Sequence, residues 1–274
     1  MKLRFVGTGD SAQVPRFGCS CAACERARVL SSHRRGPCCA EVRVDGQRYL
    51  LDAGRSDLAA SCERERPAAI LLTHYHADHV QGLFHLRWGM GEPIPVYGPK
   101  DAHGCADLYR HPGVLAFQPG LKPFRALRLE GVEAIPVPLS HSKPTLGYCL
   151  DDGGTRLAYL TDTCGLPAET ERFLRGWRPD AVVLDATHPA GYAEPRNHNT
   201  VPMALEIIER LAPRQAWLTH LSHAVDAELM SVHLSLPPGV ALAQDGLECE
   251  LAWPRPGSVA ENMPWRVAMA TRDG

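Results

Sequence analysis

Short apolar runs bounded by turn residues recur along the chain and predict a series of β-strands. Apolar runs of about four to eight residues, alternating or continuous, are typical of half-buried and buried strands. The predicted strands cover residues 3–6, 41–44, 48–51, 69–73, 94–97, 132–138, 156–160, 181–184 and 215–219.

Segments with helical periodicity lie between these strands. They predict helices over residues 80–86, 101–109, 167–175, 200–211 and 226–234. Because strands and helices alternate, the sequence predicts an α/β (α+β) fold with helices flanking sheets. We interpret residues 1–274 as a single domain, in which 254–274 has weak periodicity and forms a loosely packed tail.

Composition and charge narrow the class of partner. The chain is 45% apolar and 22% charged with a net charge of −2, which indicates a globular protein with no nucleic-acid or membrane partner. The first nine residues, MKLRFVGTG, are too short and polar for a signal peptide, and no apolar run approaches the ~20 residues of a membrane helix. We therefore expect a cytoplasmic protein that acts on a small molecule, and a homodimer is compatible with the sequence.

The segment from Thr73 to His79 carries four metal-ligand side chains within six positions. His74 and His76 point the same way if the chain is extended, because side chains alternate across a strand. Asp78 and His79 then precede the predicted helix 80–86. Neutral imidazole and carboxylate groups suit Zn²⁺, Mn²⁺ or Fe. This spacing predicts a metal site at the end of strand 69–73.

Three more ligand-type residues follow predicted strands in the same way. His141 follows strand 132–138, Asp162 follows strand 156–160, and His220 follows strand 215–219. With the first motif they make a set of seven, which is enough for two metal ions in one site.

The His-x-His-x-Asp-His motif, followed by a later His, Asp and His, resembles the metal signature of the metallo-β-lactamase superfamily. Asp52, in Asp-Ala-Gly after an apolar run, also fits the Asp-containing turn of that superfamily. The resemblance implies an αββα sandwich. It also implies that one metal is held by His74, His76 and His141, the other by Asp78, His79 and His220, and that Asp162 bridges both.

Four segments are similar to the PhnP family of phosphodiesterases, namely residues 79–89, 93–99, 141–143 and 195–198. This resemblance implies hydrolysis of a small cyclic sugar phosphate, 5-phosphoribosyl 1,2-cyclic phosphate, to ribose 1,5-bisphosphate in phosphonate catabolism by the carbon–phosphorus lyase pathway. Because a sugar alkoxide is a poor leaving group, a general acid is needed, and His198 is the candidate. Asp78 is assigned to catalysis as well as to metal binding.

Ten cysteines include a cluster at Cys19, Cys21 and Cys24. A structural zinc takes four ligands, so a fourth must come from elsewhere. The resemblance suggests His223, because PhnP-like proteins pair such a cluster with the second histidine of a Thr-His-x-x-His run. The expected cofactors are two active-site ions, Mn²⁺ or Zn²⁺, and one structural Zn²⁺. Free thiols and a redox motif are the alternatives for the cluster.

Three other functions share parts of this pattern. A tRNA 3′-processing nuclease has the same metal set, but it needs a basic surface, which the net charge of −2 does not indicate. A thioesterase or β-lactamase is the second, and the missing signal peptide disfavours a β-lactamase. A non-catalytic, PqqB-like metal-binding protein is the third, and the complete set of seven ligands argues against it.

Overall fold

The computed structural model describes residues 1–231 and 236–253, which contain two seven-stranded β-sheets. The strands are β1 (Lys2–Gly7), β2 (Cys39–Val44), β3 (Gln47–Leu51), β4 (Ala69–Leu71), β5 (Ile94–Tyr97), β6 (Leu115–Phe117), β7 (Leu127–Leu129), β8 (Val132–Pro138), β9 (Leu146–Asp151), β10 (Arg156–Leu160), β11 (Ala181–Asp185), β12 (Gln215–Thr219), β13 (Val240–Leu242) and β14 (Glu248–Glu250). The helices are α1 (Ala22–Val29), α2 (Leu58–Arg64), α3 (Ala77–Val80), α4 (Leu83–Leu86), α5 (Ala106–Arg110), α6 (Ala168–Trp177), α7 (Val201–Leu211) and α8 (His223–Ser231), with a 3₁₀ turn at Ser31–His33.

The first sheet has the strand order β14-β1-β2-β3-β4-β5-β6, and the second has the order β13-β12-β11-β10-β9-β8-β7. Strands β3 to β6 are parallel, as are β10 to β13. Strand β8 is antiparallel to β9, which is antiparallel to β10, so β8 runs in the same direction as β10. The carboxyl ends of β8, β10, β11 and β12 therefore lie at one edge of the second sheet.

Three apolar layers hold the sheets and helices together. The central layer joins the inner faces of the two sheets and includes Phe5, Tyr148 and Trp217. A second layer packs α6, α7 and α8 on the outer face of the second sheet, and a third packs α2 and α4 on the first. The order helix, sheet, sheet, helix confirms the predicted αββα sandwich. No helix in the described ranges is long and apolar enough to cross a membrane.

The predicted strands agree with the observed ones except where polar contacts end them early. The strand predicted over 69–73 ends at Leu71, because the amide of Thr73 donates to Oδ1 of Asp52 (2.7 Å) instead of to a neighbouring strand. The sequence pattern did not identify β6, β7, β9, β13 or β14. Four of these have only three residues, which is too short for an alternating pattern to emerge.

The helix predicted over 80–86 is confirmed only in part, because the segment forms two single turns, α3 and α4, instead of one helix. The amide of Gly82 donates to the carbonyl of Ala53 (2.8 Å), which draws this segment onto the turn after β3. The helix predicted over 101–109 begins only at Ala106, because the Asp101 carboxylate accepts from the amides of His103 and Gly104 and forms a local turn.

The remaining helices agree with prediction to within a few residues, and α1 and α2 were not predicted. Helix α8 begins three residues earlier than predicted and is described as far as Ser231. Residues 232–234 of that prediction, and the predicted tail 254–274, lie outside the described residues.

Candidate metal centre

The seven predicted metal ligands meet where the carboxyl ends of strands from both sheets face each other. The His74–His79 segment follows β4 of the first sheet. His141, Asp162 and His220 follow β8, β10 and β12 of the second sheet. Parallel direction explains this convergence, because equivalent ends of parallel strands lie at one edge. The structure therefore brings together all seven residues that the sequence pointed to.

One ligand cluster consists of three histidines and one carboxylate oxygen. Nδ1 of His76 lies 2.8 Å from Nε2 of His74 and 3.0 Å from Nε2 of His141. Oδ2 of Asp162 lies 3.6 Å from Nε2 of both His74 and His141. Four potential ligand atoms thus surround one point, as a mononuclear site of this type requires.

The second ligand cluster uses the other oxygen of the same carboxylate. Oδ1 of Asp162 lies 3.3 Å from Nε2 of His79 and 3.5 Å from Nε2 of His220. Oδ2 of Asp78 lies 3.5 Å and 3.4 Å from the same two nitrogens. Asp162 therefore connects the two clusters through its two oxygens, which is the geometry of a bridging ligand.

Two divalent cations fit this arrangement, as the buried Nε2 atom of His79 indicates. This atom has no hydrogen-bond partner among the described residues. Nδ1 of the same ring lies 2.9 Å from Oδ2 of Asp52, so the ring, when neutral, donates Nδ1–H to that carboxylate. The Nε2 lone pair then faces the acceptor oxygens of Asp78 and Asp162, an arrangement that a cation between them would stabilise.

Asp52 orients two histidine rings of the centre without being one of the seven ligands. Its buried carboxylate accepts from the amide of Thr73 (2.7 Å) and from the Thr73 hydroxyl (2.9 Å), in addition to His79. The Thr73 hydroxyl also lies 3.1 Å from Nδ1 of His74. One carboxylate therefore fixes the rings of two ligands, one in each cluster. The sequence had placed Asp52 only in a turn.

Asp185, at the end of β11, has a similar role on the opposite side. Its Oδ2 lies 2.7 Å from Nδ1 of His198, and its Oδ1 accepts from the Thr187 hydroxyl (2.7 Å). The same hydroxyl lies 2.8 Å from Nδ1 of His220. The His198 ring centroid is 5.0 Å from that of His141 and 4.9 Å from that of His220. His198 therefore sits beside ligands of both clusters but is not one of the seven predicted ligands.

The sequence reasoning missed Asp185, although a signal was present. Asp185 ends an apolar strand just as Asp162 follows one, and the two strands are parallel neighbours. An acidic residue at that strand end could have been grouped with His141, Asp162 and His220.

Three residues of the centre have left-handed backbone conformations, at φ values of 63° for Asp52, 63° for Asp162 and 58° for His220. Asp52 and His220 directly follow β3 and β12, and Asp162 lies two residues after the end of β10. Such conformations cost an L-residue on the order of 1 kcal/mol and occur often at functional sites. Here the backbone turns sharply as each strand ends, which places the side chain in the gap between the sheets.

Burial and neighbouring charge separate the pKa values of the histidines. Burial, together with the charge of His79, lowers the pKa of His74 well below its usual value. Burial opposes charging of His220, but the nearby Asp162 and Asp78 outweigh it and raise its pKa to about 9. For His198 burial also opposes charging, but Asp185 outweighs it and raises the pKa of that ring.

A separate cluster contains Cys19, Cys21, Cys24 and His223. Nδ1 of His223 lies 3.4 Å from Sγ of Cys21 and 3.6 Å from Sγ of Cys19. Cys24 lies in α1, and His223 begins α8, which packs against α1. Three thiols and one imidazole are a donor set that could bind a tetrahedral structural zinc. His220 and His223, three residues apart, thus belong to different clusters.

The fold and the two His/Asp clusters define a metal-dependent hydrolase of the metallo-β-lactamase fold. The model of the "Beta-lactamase superfamily domain" family matches residues 47–221, more than half of the chain. The chain belongs to this metallo-β-lactamase superfamily.

Three known proteins are similar to the chain over more than half of its length. It is similar to the solved structure of a diphosphatase from the PhnP family, with 29% identity and a TM-score of 0.77 over 92% of this chain and 98% of that one. It is 28% identical to an octanoyltransferase of Porphyromonas gingivalis over 90% of its length, but spans about half (51%) of that relative. It is 26% identical to the coenzyme PQQ synthesis protein B of Methylorubrum extorquens over 68% of this chain and 73% of that protein.

Proposed function

We propose that the protein is a PhnP-like phosphodiesterase that opens 5-phosphoribosyl 1,2-cyclic phosphate to ribose 1,5-bisphosphate. The observation that carries this proposal is the His198–Asp185 pair, which lies beside ligands of both clusters. Proton donation by such a pair contributes less to rate when the leaving group departs easily. A sugar alkoxide needs a proton as it departs, and an oriented histidine can supply one.

The ligand clusters support phosphodiester chemistry. Divalent cations bound at the two clusters would supply Lewis acidity, neutralising phosphoryl charge and lowering the pKa of a water molecule. Asp162 holds the clusters at a fixed separation through its two oxygens. Asp52 and Asp185 hold ligand rings in place from opposite sides, directly or through a threonine hydroxyl. The chain thus provides an oriented, anionic set of ligands for the cations and a separate proton donor.

The role of His198 follows from the tautomer that Asp185 imposes. Nδ1–H donates to the carboxylate, so Nε2 is the nitrogen left to deliver a proton. In the proposed reaction the bond between phosphorus and the ribose 2-oxygen breaks. The hydroxyl of water ends on phosphorus, and the departing 2-oxygen takes the proton from Nε2. The product keeps its phosphate on the 1-oxygen, and water restores the proton to His198.

The test is a comparison of kcat/KM for 5-phosphoribosyl 1,2-cyclic phosphate and for a linear dialkyl phosphate, each at saturating Mn²⁺ and Zn²⁺. We expect a large preference for the cyclic sugar phosphate. Absence of turnover on it, with a full complement of metal, would rule out the proposal. Absence of turnover on every phosphate ester would instead favour a non-catalytic role like that considered for a PqqB-like protein.

A second candidate is hydrolysis of a diphosphate, because the 29% identical solved structure is that of a diphosphatase from the PhnP family. Here the leaving group is a phosphate, which departs with less need of a proton than an alkoxide. A diphosphate ester of ribose should therefore be tested as a third substrate in the same assay. A kcat/KM for the diphosphate that exceeds the value for the cyclic phosphodiester would favour this second function.

A further inference from the structure

A cavity of about 220 Å³ lies beside α1 and α8, away from both ligand clusters of the metal centre. We call it the arginine cavity. Its polar lining includes His33, three arginines and one carboxylate, and its apolar lining includes Leu229 and Met230; the charged residues are Arg26, Arg34, Arg35 and Asp226. Met230 is seven residues along α8 from His223, which corresponds to roughly 10 Å of helix. None of these residues is a ligand of the metal centre or of the cysteine cluster.

Arg35 lines the arginine cavity as one half of an ion pair with Asp226. It donates from Nε and Nη2 to the two carboxylate oxygens of Asp226, at 2.8 and 3.0 Å. It also donates to the Thr8 hydroxyl and to the carbonyl of Ala243. The charge of Arg35 is therefore compensated inside the protein, and its guanidinium is held rigidly.

Arg34 is held in place without being neutralised. Its Nε donates to the carbonyl of Ala27 (3.0 Å), and its Nη2 donates to the carbonyl of Arg28 (3.2 Å). Carbonyl oxygens fix the orientation of a guanidinium but carry no counter-charge. The remaining N–H groups of Arg34 are free to face a ligand.

The side chain of Arg26 makes no hydrogen bond or ion pair within residues 1–231 and 236–253, although its backbone carbonyl accepts from the amide of Leu30. Its Nε is buried and has no hydrogen-bond acceptor, and no carboxylate in these ranges lies within ion-pair distance. The nearby acid on the same helix, Glu25, pairs with Arg28 at 2.7 Å instead. Two guanidinium groups without counter-charge, those of Arg26 and the exposed Arg34, therefore share one concave site. The buried Nε of Arg26 lacks the hydrogen bond that an anion in the cavity would accept.

We propose that the arginine cavity binds the phosphate group of a small phosphorylated metabolite. Guanidinium groups match phosphate oxygens with paired N–H donors, and two of them suit a doubly charged phosphate better than a singly charged carboxylate. The volume admits a small molecule, and Leu229 and Met230 can contact its uncharged part. Since the cavity lies between α1 and α8, occupation would also join the two helices that carry Cys24 and His223.

Calorimetric titration of the metal-loaded protein with inorganic phosphate and with phenyl phosphate tests the proposal. The metal centre will also bind phosphate, so we expect two binding events in the wild type. Arg26→Gln should weaken one event at least tenfold and leave the other unchanged. Arg28→Gln, on the same helix but paired with Glu25, should behave like the wild type.

Arg34→Gln provides a second variant, and circular dichroism would show that each variant is folded. Tighter binding of phenyl phosphate than of phosphate, lost in Arg26→Gln, would identify a phosphate ester as the ligand. Equal affinities would identify free phosphate. Unchanged phosphate binding in folded Arg26→Gln and Arg34→Gln would overturn the proposal. Because phosphate binding at the metal centre persists in these variants, the outcome is separate from that of the phosphodiesterase assay.

Discussion

Nδ1 of His198 lies 2.7 Å from Oδ2 of Asp185, and the other oxygen of this carboxylate reaches His220 through the Thr187 hydroxyl. One buried acid thus orients both the proposed proton donor and a ligand of the metal centre. It is the link between the proton-transfer and metal-binding parts of the site, and it joins residues that are 13 and 35 positions apart in the chain.

Replacing Asp185 with Asn tests this link. The carboxylate raises the pKa of His198, so the variant ring should have a lower pKa. A general acid works only when protonated, and activity falls as pH rises through its pKa. The alkaline limb of the kcat/KM profile for the cyclic sugar phosphate should therefore move to lower pH, with a loss of up to roughly 10²-fold at neutral pH. An unchanged alkaline limb would show that Asp185 does not control the proton on His198.

His198→Ala should discriminate between leaving groups. Loss of a general acid is worth roughly 10²–10⁴-fold when the leaving group is an alkoxide, and little when it is a nitrophenolate. We expect that loss on the cyclic ribose phosphate, a much smaller one on a nitrophenyl phosphodiester, and unchanged metal content. Equal losses on both substrates would indicate that His198 binds phosphate or orders its loop, and a drop in bound metal would make it a ligand.

Asp162→Ala removes the carboxylate shared by both clusters. We expect fewer than two active-site equivalents of metal and loss of most turnover, because each cluster loses an oxygen ligand. Elemental analysis of the purified variant and a turnover assay measure the two effects. Wild-type turnover in this variant would contradict the assignment of Asp162 as a bridge.

The ligand motif at His74–His79 could be predicted because it is local, with four ligand types at fixed spacing in one loop. The apolar runs predicted an α/β fold, and the αββα arrangement was implied by the resemblance to the metallo-β-lactamase superfamily that this motif carries. The Asp52–His79 and Asp185–His198 contacts could not, because they depend on how strand ends from distant parts of the chain meet. Helix boundaries near the site failed for a related reason: the Gly82 amide and the Asp101 carboxylate make contacts that periodicity does not encode.

Asp52→Asn tests whether the Asp52 carboxylate orients the His79 ring for metal binding. The carboxylate accepts three hydrogen bonds and fixes the His79 ring, so the variant should bind active-site metal 10- to 100-fold more weakly, on the order typical for residues that orient ligands. Activity should return with excess metal, which a general folding defect would not allow. Asp57→Asn is the matched control, because Asp57 is exposed and pairs only with Arg55 among the described contacts. Identical metal titrations for Asp52→Asn and wild type would refute the role of Asp52.

The cysteine cluster makes a prediction about stability as well as metal content. Binding of a structural zinc contributes to the free energy of folding, since the assembled site exists only in the folded state. Cys21→Ser removes a thiol that lies 3.4 Å from Nδ1 of His223, and should lose one equivalent of zinc and lower Tm by at least about 5 °C. Cys249→Ser is the control, because Cys249 lies on the edge strand β14 and outside the cluster. Each variant replaces one sulfur atom of the wild type with oxygen. A loss of zinc confined to Cys21→Ser therefore separates metal binding from the general effect of replacing a thiol. Equal zinc content in wild type and Cys21→Ser would mean that the cluster holds free thiols, and α1 and α8 would then be joined by packing alone.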